Sequence, residues 1–270
     1  MNVQPVNKTP NFTSGLTGKI LKDIKHINIS QAEEDFAKIG VDADFDGKKF
    51  ICTKFVLAAN ILADISGKYK LPFDFKPYAI RTFKKKDLIM PEDNALGFCN
   101  YDTKSVLKDE PPFVGMSIFM NKKNNNILLS EFLNNYEKFT NWKSTSHFLG
   151  TTLHEWFHCI QQNLVYKQKG YEGNCPILRK EYYKENAKGL ALTELLMNFP
   201  YIPEREKIQT LIGRYAASSN SLIEIFAELM AKITVESLNK NLQIVKNPLD
   251  NIPKDLPFSI KLKIEELLKV

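Results

Sequence analysis

The sequence has little of what directs a chain into or across a membrane. Residues 1–17 are polar and rich in Pro, Asn, Thr and Gly, and they lack the apolar core and cleavage site of a signal peptide. No stretch of the sequence approaches the apolar length that spans a bilayer. We therefore expect a cytoplasmic protein, or one exported by a non-Sec route, with residues 1–30 as a poorly ordered leader.

Paired cysteines and nucleic-acid-binding patterns are also missing. Cys52, Cys99, Cys159 and Cys175 lack the close spacing of a zinc-binding pair, and we expect them to be reduced thiols. The net charge of +6 is modest and no aromatic-basic module is present, so we expect no nucleic-acid partner. With 43% apolar and 25% charged residues the composition is that of an ordinary globular protein, and the abundance of Lys, Asn and Ile favours a bacterial source.

Histidine is scarce, yet two of the four histidines lie in one short motif. His154 and His158 belong to an H-E-x-x-H sequence inside segment 146–166, which has helical periodicity. On a helix each residue turns about 100°, so the two imidazoles lie about 40° apart on one face and can share a metal ion. Glu155 points about 100° away from His154, where it can reach a water bound to that metal. The motif predicts a catalytic zinc site with Glu155 as general base; the alternative is an amphipathic helix with two histidines at the surface or at the edge of the core.

A site of this kind needs a third protein ligand. The other two histidines, His26 and His147, both precede the motif, so we expect the third ligand to be a downstream acid. The candidates are Glu172, Glu181, Glu185, Glu194, Glu204, Glu206, Glu224, Glu228 and Glu236.

Segment 221–231 predicts a helix that gives two of these acids the most suitable setting. Glu224 and Glu228 share one face with Ala227 and Ala231, whose small side chains would allow another helix to approach closely. Two acids one turn apart repel each other unless a cation neutralises them. A zinc ion with its histidines would do so, with Glu224 binding the metal and Glu228 holding a ligand histidine in place. A solvated polar face is the alternative, and the periodicity alone slightly favours it.

The pairing of H-E-x-x-H with a later E-x-F-A-E, here at Glu224, resembles the gluzincin zinc metallopeptidases. The similarity is greatest to the branch that contains the catalytic domain of anthrax toxin lethal factor, and it covers roughly residues 76–240. In that branch the first Glu of the second motif is the third zinc ligand, which implies this role for Glu224. A Tyr-Ala pair precedes the same helix in the branch, and its hydroxyl supports the transition state. The pair that begins at Tyr215 is similar, which implies a catalytic role for Tyr215.

The remaining pattern predicts an α+β protein. Strands are predicted at 78–83, 95–101 and 116–121, and helices at 31–38, 50–69, 146–166, 181–198, 205–215, 221–231 and 259–268, with a short helical or loop segment at 131–136. The resemblance implies a zincin-like fold, in which a small mixed sheet packs on the H-E-x-x-H helix and a helical C-terminal half follows. We expect one peptidase domain, 31–270, with an upper half at 31–158 and a helical lower half at 159–270.

Two surface features also bear on function. The resemblance implies that one edge strand pairs with the substrate backbone, and the 95–101 strand is our candidate for that edge. The run Lys84-Lys85-Lys86 is interpreted as a solvated strand end, with a binding patch as the alternative.

These features together predict a zinc metalloendopeptidase that hydrolyses peptide bonds, with Zn²⁺ as cofactor and a peptide or protein as partner. One alternative is a catalytically degenerate zincin-fold binding protein, favoured by Phe157, which stands where the branch usually has glycine. A second alternative is a delivered effector or toxin protease with a single protein substrate, which the featureless leader permits.

Overall fold

The structure is a computed structural model that describes residues 27–89, 95–100, 106–109, 116–168, 204–219 and 221–269. The helices are α1 (Ile29–Lys38), α2 (Lys49–Tyr69), α3 (Ile127–Thr140), α4 (Gly150–Gln168), α5 (Arg205–Leu211), α6 (Arg214–Ser219), α7 (Leu222–Glu236) and α8 (Phe258–Leu268). The strands are β1 (Asp42–Asp44), β2 (Ala79–Phe83), β3 (Gly97–Asn100) and β4 (Ser117–Asn121). Short 3₁₀ turns span Lys85–Asp87, Lys122–Asn125 and Pro248–Asn251.

The four strands form one small mixed sheet in the order β1-β2-β4-β3. β1 and β4 both run parallel to β2. β3 runs antiparallel to β4 and forms one edge of the described sheet. Every residue of β2 and β4 is buried, as expected for central strands covered on both faces. The protein is therefore a mixed α/β structure with a small mixed sheet and several helices, which agrees with the expected α+β class.

Helix α2 fills the centre of the core. An aromatic contact joins it to α4, since the ring centroids of Phe55 and Trp156 lie 6.1 Å apart. Among the described residues, α2 is the one helix long and apolar enough to cross a membrane, a length that the sequence analysis did not expect. Most of α2 is buried inside the protein, which is the behaviour of a core helix that is apolar on all sides.

Helices α4 and α7 pack against each other, and this contact positions the candidate site. The rings of Phe157 on α4 and Phe226 on α7 meet edge-on, with centroids 6.4 Å apart. Ala227 and Ala231 are buried, in agreement with the expected role of small residues at a close helix contact. Helix α4 also contacts β3 and β4, so the motif helix lies between the sheet and α7.

Most predicted elements of the described chain are confirmed, and one helix is corrected. Segment 205–215 is not one helix, because the helix is interrupted at Gly213, between α5 and α6. A Cβ atom at Gly213 would lie 2.9 Å from the carbonyl carbon of Lys143, so only glycine permits this close approach of two backbones. The 131–136 segment belongs to the longer helix α3, strand β1 was not predicted, and the predicted helix 181–198 lies outside the described residues.

Candidate metal centre

Two imidazoles and one carboxylate converge where α4 meets α7. His154 and His158 lie one turn apart on the same face of α4, and their Nε2 atoms are 2.9 Å from each other. Oε2 of Glu224, in the first turn of α7, lies 3.2 Å from Nε2 of His154 and 3.5 Å from Nε2 of His158. The structure thus brings together the three residues that the sequence analysis expected to share a metal.

The geometry and chemistry of these atoms fit a bound divalent metal ion. Metal–ligand bonds of about 2.0–2.1 Å in a tetrahedral site place neighbouring ligand atoms about 3.3 Å apart, close to the three separations seen here. Among the described residues, Oε2 of Glu224 is buried without a hydrogen-bond donor oriented toward it. The two facing Nε2 atoms have room for at most one proton between them. A cation between the three atoms would satisfy all of them at once.

The second acid of α7 holds His154 from behind. Oε1 of Glu228 lies 3.0 Å from Nδ1 of His154, and Oε2 of Glu228 accepts a hydrogen bond of 2.7 Å from the backbone N–H of Ser144. Glu228 is buried, which opposes its ionisation, but its contacts with His154 and Ser144 outweigh burial and lower its pKa. This is an ion-pair contact, since no hydrogen bond of good geometry reaches Nδ1 among the described residues. A carboxylate this close to Nδ1 favours the ring orientation in which Nε2 is directed toward Glu224 and His158.

The centre holds more negative than positive charge when the imidazoles are neutral. Burial opposes ionisation of Glu224, but the neighbouring His158 and His154 outweigh it and lower the pKa of this carboxyl. Burial lowers the pKa of His154, but the carboxylates of Glu224 and Glu228 raise it on balance, to about 10. The buried carboxylates therefore require a cation close to the imidazoles, either a proton or a metal ion.

Glu155 lies between the imidazoles and the edge strand β3. It is buried, and burial raises its pKa, whereas His154 and His158 act in the opposite direction. A Cβ atom at Gly97 of β3 would lie only 3.1 Å from Cγ of Glu155, so a glycine at this position gives the carboxylate its space. The structure thus places Glu155 beside the candidate metal ligands and under the strand expected to bind substrate.

Tyr215 packs beside His154 at the centre. Its ring centroid lies 5.9 Å from that of His154, and its hydroxyl interacts with the Glu224 carboxylate. Burial and the nearby charge of Glu224 and Glu155 raise the pKa of Tyr215, so the hydroxyl keeps its proton and remains a donor.

The loop that joins α3 to α4 positions two parts of the site, and sequence reasoning missed it. Asn141 O and Trp142 O accept hydrogen bonds from the backbone N–H groups of Arg214 and Tyr215, at 2.9 and 2.7 Å. The same loop supplies the Ser144 N–H that binds Glu228. The one sequence signal was a glycine inside a predicted helix, at position 213, which marks a close backbone approach.

The structure also separates the other candidate acids from the centre. Within the described residues, the group that could hold a metal contains neither Glu204 nor Glu206, and Glu236 lies at the opposite end of α7. The remaining candidates, Glu172, Glu181, Glu185 and Glu194, lie outside the described residues.

Comparison with known proteins identifies no relative. No family model, curated protein or solved structure matches this chain. A function for the protein must therefore be inferred from the residues and distances of the centre itself.

Proposed function

We propose that this protein is a zinc-dependent metalloendopeptidase of the gluzincin type, with a zincin-like fold and Zn²⁺ held by His154, His158 and Glu224. The observation that carries the proposal is the convergence of two Nε2 atoms and one buried carboxylate oxygen within 3.5 Å of one another. Two imidazoles and one carboxylate, with a further position left for water, form a donor set typical of catalytic zinc in peptidases.

Zinc bound at this centre would lower the pKa of a coordinated water to about 7 and polarise the carbonyl of a peptide bond. Glu155 is the group of this chain that takes the proton from the water and later transfers it to the leaving amine. Its position supports this role, because it follows His154 directly on α4 and faces the Gly97 backbone of the edge strand. Its burial supports the role too, since a carboxylate in a water-poor site accepts a proton more readily.

Tyr215 is the candidate donor to the substrate oxygen that becomes negative during hydrolysis. Its hydroxyl keeps its proton next to Glu224, and its backbone is fixed by the N–H bond to Trp142 O. A donor held in place before the reaction stabilises developing charge without the cost of reorganising.

Strand β3 is the candidate binding edge for the substrate backbone. It pairs with β4 on one side, and within the described residues no strand pairs with its other side. An extended peptide can add to such an edge as one more strand. The contact between Gly97 and Glu155 would place that peptide close to the general base.

The packing of Phe157 bears on the alternative of a degenerate site. Its ring packs edge-on against Phe73, with centroids 5.3 Å apart, and against Phe226. The side chain is fully buried and packs on two other aromatic rings, so it has a structural reason to be large. His154, His158 and Glu224 converge with this large residue in place, so Phe157 gives no steric reason for an inactive site.

The test of the proposal is a Glu155→Gln variant, which is nearly the same size and lacks the basic carboxylate. We expect the variant to bind zinc as the wild type does and to lose at least about 100-fold in the rate of cleavage of a peptide library, which is the magnitude that general acid–base catalysis supplies. Full cleavage activity in Glu155→Gln would contradict the assignment of the base, and the absence of cleavage by zinc-loaded wild type on a broad library would contradict the peptidase function.

A further inference from the structure

A pocket that contains no residue of the metal centre is lined by lysines. Its volume is about 930 Å³, and it lies where β2, β4 and the start of α3 come together. Its lining contains no acidic residue and no arginine among the described residues. The lysines are Lys48, Lys84, Lys85, Lys86, Lys122 and Lys123. We call this feature the lysine pocket.

Exposed apolar side chains continue from the lysine pocket along one face of α3. Ile127 and Leu128 line the pocket, and Leu128 is 76% exposed. Phe132 and Tyr136, 65% and 55% exposed, follow at intervals of four residues, which places them with Leu128 on one side of the helix. Single exposed apolar residues are common on protein surfaces, but several that protrude together mark an interaction site.

Charge decides which partner these features suit. Asp46 and Asp87 lie 2.7 and 3.9 Å from Lys122, so the six lysines of the pocket outnumber these two acids. Of the segments outside the described residues, 1–26 and 169–203 each carry more basic than acidic residues. The short segments 90–94, 101–105 and 110–115 together carry four acidic residues and one lysine, which is less negative charge than the excess of the pocket lysines over Asp46 and Asp87. The remaining charge suits an anion from outside the chain.

The type of cation favours a diffuse negative surface over one specific group. Lysine binds anions as a flexible point charge, whereas the rigid two-point geometry that orients a single phosphate or carboxylate comes from arginine. Protruding Leu, Phe and Tyr side chains suit the boundary between lipid headgroups and acyl chains, which accepts them without a matching shape. Clustered lysines beside such side chains are the pattern of a protein that binds an anionic leaflet.

We infer that the lysine pocket and the Leu128–Phe132–Tyr136 face of α3 form a docking surface for an anionic lipid bilayer. The lysines bind the negative headgroups, and the α3 face inserts its apolar side chains at the headgroup boundary. This surface does not include any residue of the metal centre. Lipid binding is therefore independent of the peptidase proposal.

The test is cosedimentation of the full chain with phosphatidylcholine vesicles, with and without phosphatidylserine. We expect binding to the phosphatidylserine vesicles alone, and weaker binding as salt is raised. Each lysine near an anionic surface strengthens binding about fivefold, so the Lys84→Gln, Lys85→Gln, Lys86→Gln triple variant should lose at least about tenfold in binding. A Leu128→Ser, Phe132→Ser double variant should lose binding by a similar factor.

Matched controls use the same changes on other surfaces. Phe258→Ser alters a side chain that is 78% exposed, and the triple change of Lys240, Lys246 and Lys254 to Gln removes three exposed lysines. Both controls should bind like the wild type. The inference is overturned if the wild type ignores phosphatidylserine vesicles, if the site variants bind no more weakly than the controls, or if the chain binds polyglutamate but not vesicles. The last result would identify an acidic protein as the partner.

Discussion

Oε1 of Glu228 lies 3.0 Å from Nδ1 of His154, while the other oxygen of the same carboxylate accepts the Ser144 N–H. One buried side chain thereby connects the α3–α4 loop, helix α7 and the face of α4 that bears the imidazoles. The carboxylate beside Nδ1 favours one orientation of the His154 ring, as the acids that contact ligand histidines do in metal sites.

Removal of this carboxylate should weaken metal binding without abolishing it. We expect Glu228→Ala to bind zinc about 10- to 100-fold more weakly, the usual effect of losing an acid that orients a ligand histidine. The Ser144 N–H loses its acceptor, which should also lower the free energy of unfolding by about 1–3 kcal/mol. Competition with a chelator measures the first effect and denaturant titration the second.

Glu236→Ala is the control for that variant, since Glu236 is an exposed acid on the same helix. It should change neither quantity. Equal zinc affinity in Glu228→Ala and Glu236→Ala would refute the role of Glu228.

Loss of the Tyr215 hydroxyl should affect the reaction and spare the metal. Tyr215→Phe keeps the ring packed beside His154 and Trp142 but removes the donor. We expect a fall of about 100-fold in kcat with little change in KM or zinc content, as for other donors to a developing oxyanion. Tyr136→Phe, at an exposed tyrosine, should leave all three quantities unchanged. If Tyr215→Phe loses zinc instead of rate, the residue supports the metal and not the reaction.

A methyl group on the edge strand should disturb the general base. Gly97→Ala would place a carbon 3.1 Å from Cγ of Glu155 and 3.2 Å from the Met120 side chain. Met120 is flexible, but the buried Glu155 must shift by a few tenths of an ångström. We expect kcat/KM to fall about tenfold, a fraction of the effect of a 1 Å misplacement. Gly67→Ala, where a Cβ atom has no neighbour within 4 Å, is the control, and equal activity of the two variants would contradict this account.

Local patterns were sufficient to place each pair of centre residues on one helix face, whereas the choice of Glu224 and Tyr215 came from the resemblance to the gluzincins. The four-residue spacing of His154 and His158, and again of Glu224 and Glu228, places each pair on one helix face whatever the rest of the chain does. The close packing at the alanines of α7 was also predicted, because small residues at that spacing favour a close helix contact.

Contacts between distant backbones could not be predicted in the same way. The Ser144 N–H that binds Glu228, and the Asn141 and Trp142 carbonyls that hold α6, involve groups that every residue carries. Strand β1 was missed because it is only three residues long and is positioned by its parallel pairing with β2, although the apolar residues Val41, Ala43 and Phe45 alternate with Asp42 and Asp44. The glycine at position 213 was the local sign of the loop contacts.

The most direct test of the central claim is the metal content of the purified full chain, wild type beside Glu224→Ala. We expect about one zinc ion per wild-type chain and the loss of most of it in the variant, because the variant lacks the oxygen that faces both imidazoles. Glu206→Ala, which removes an acid away from the centre, should keep the wild-type content. A wild type that holds no zinc after zinc is added back, or a Glu224→Ala variant that binds zinc as tightly as wild type, would contradict the metal centre described here.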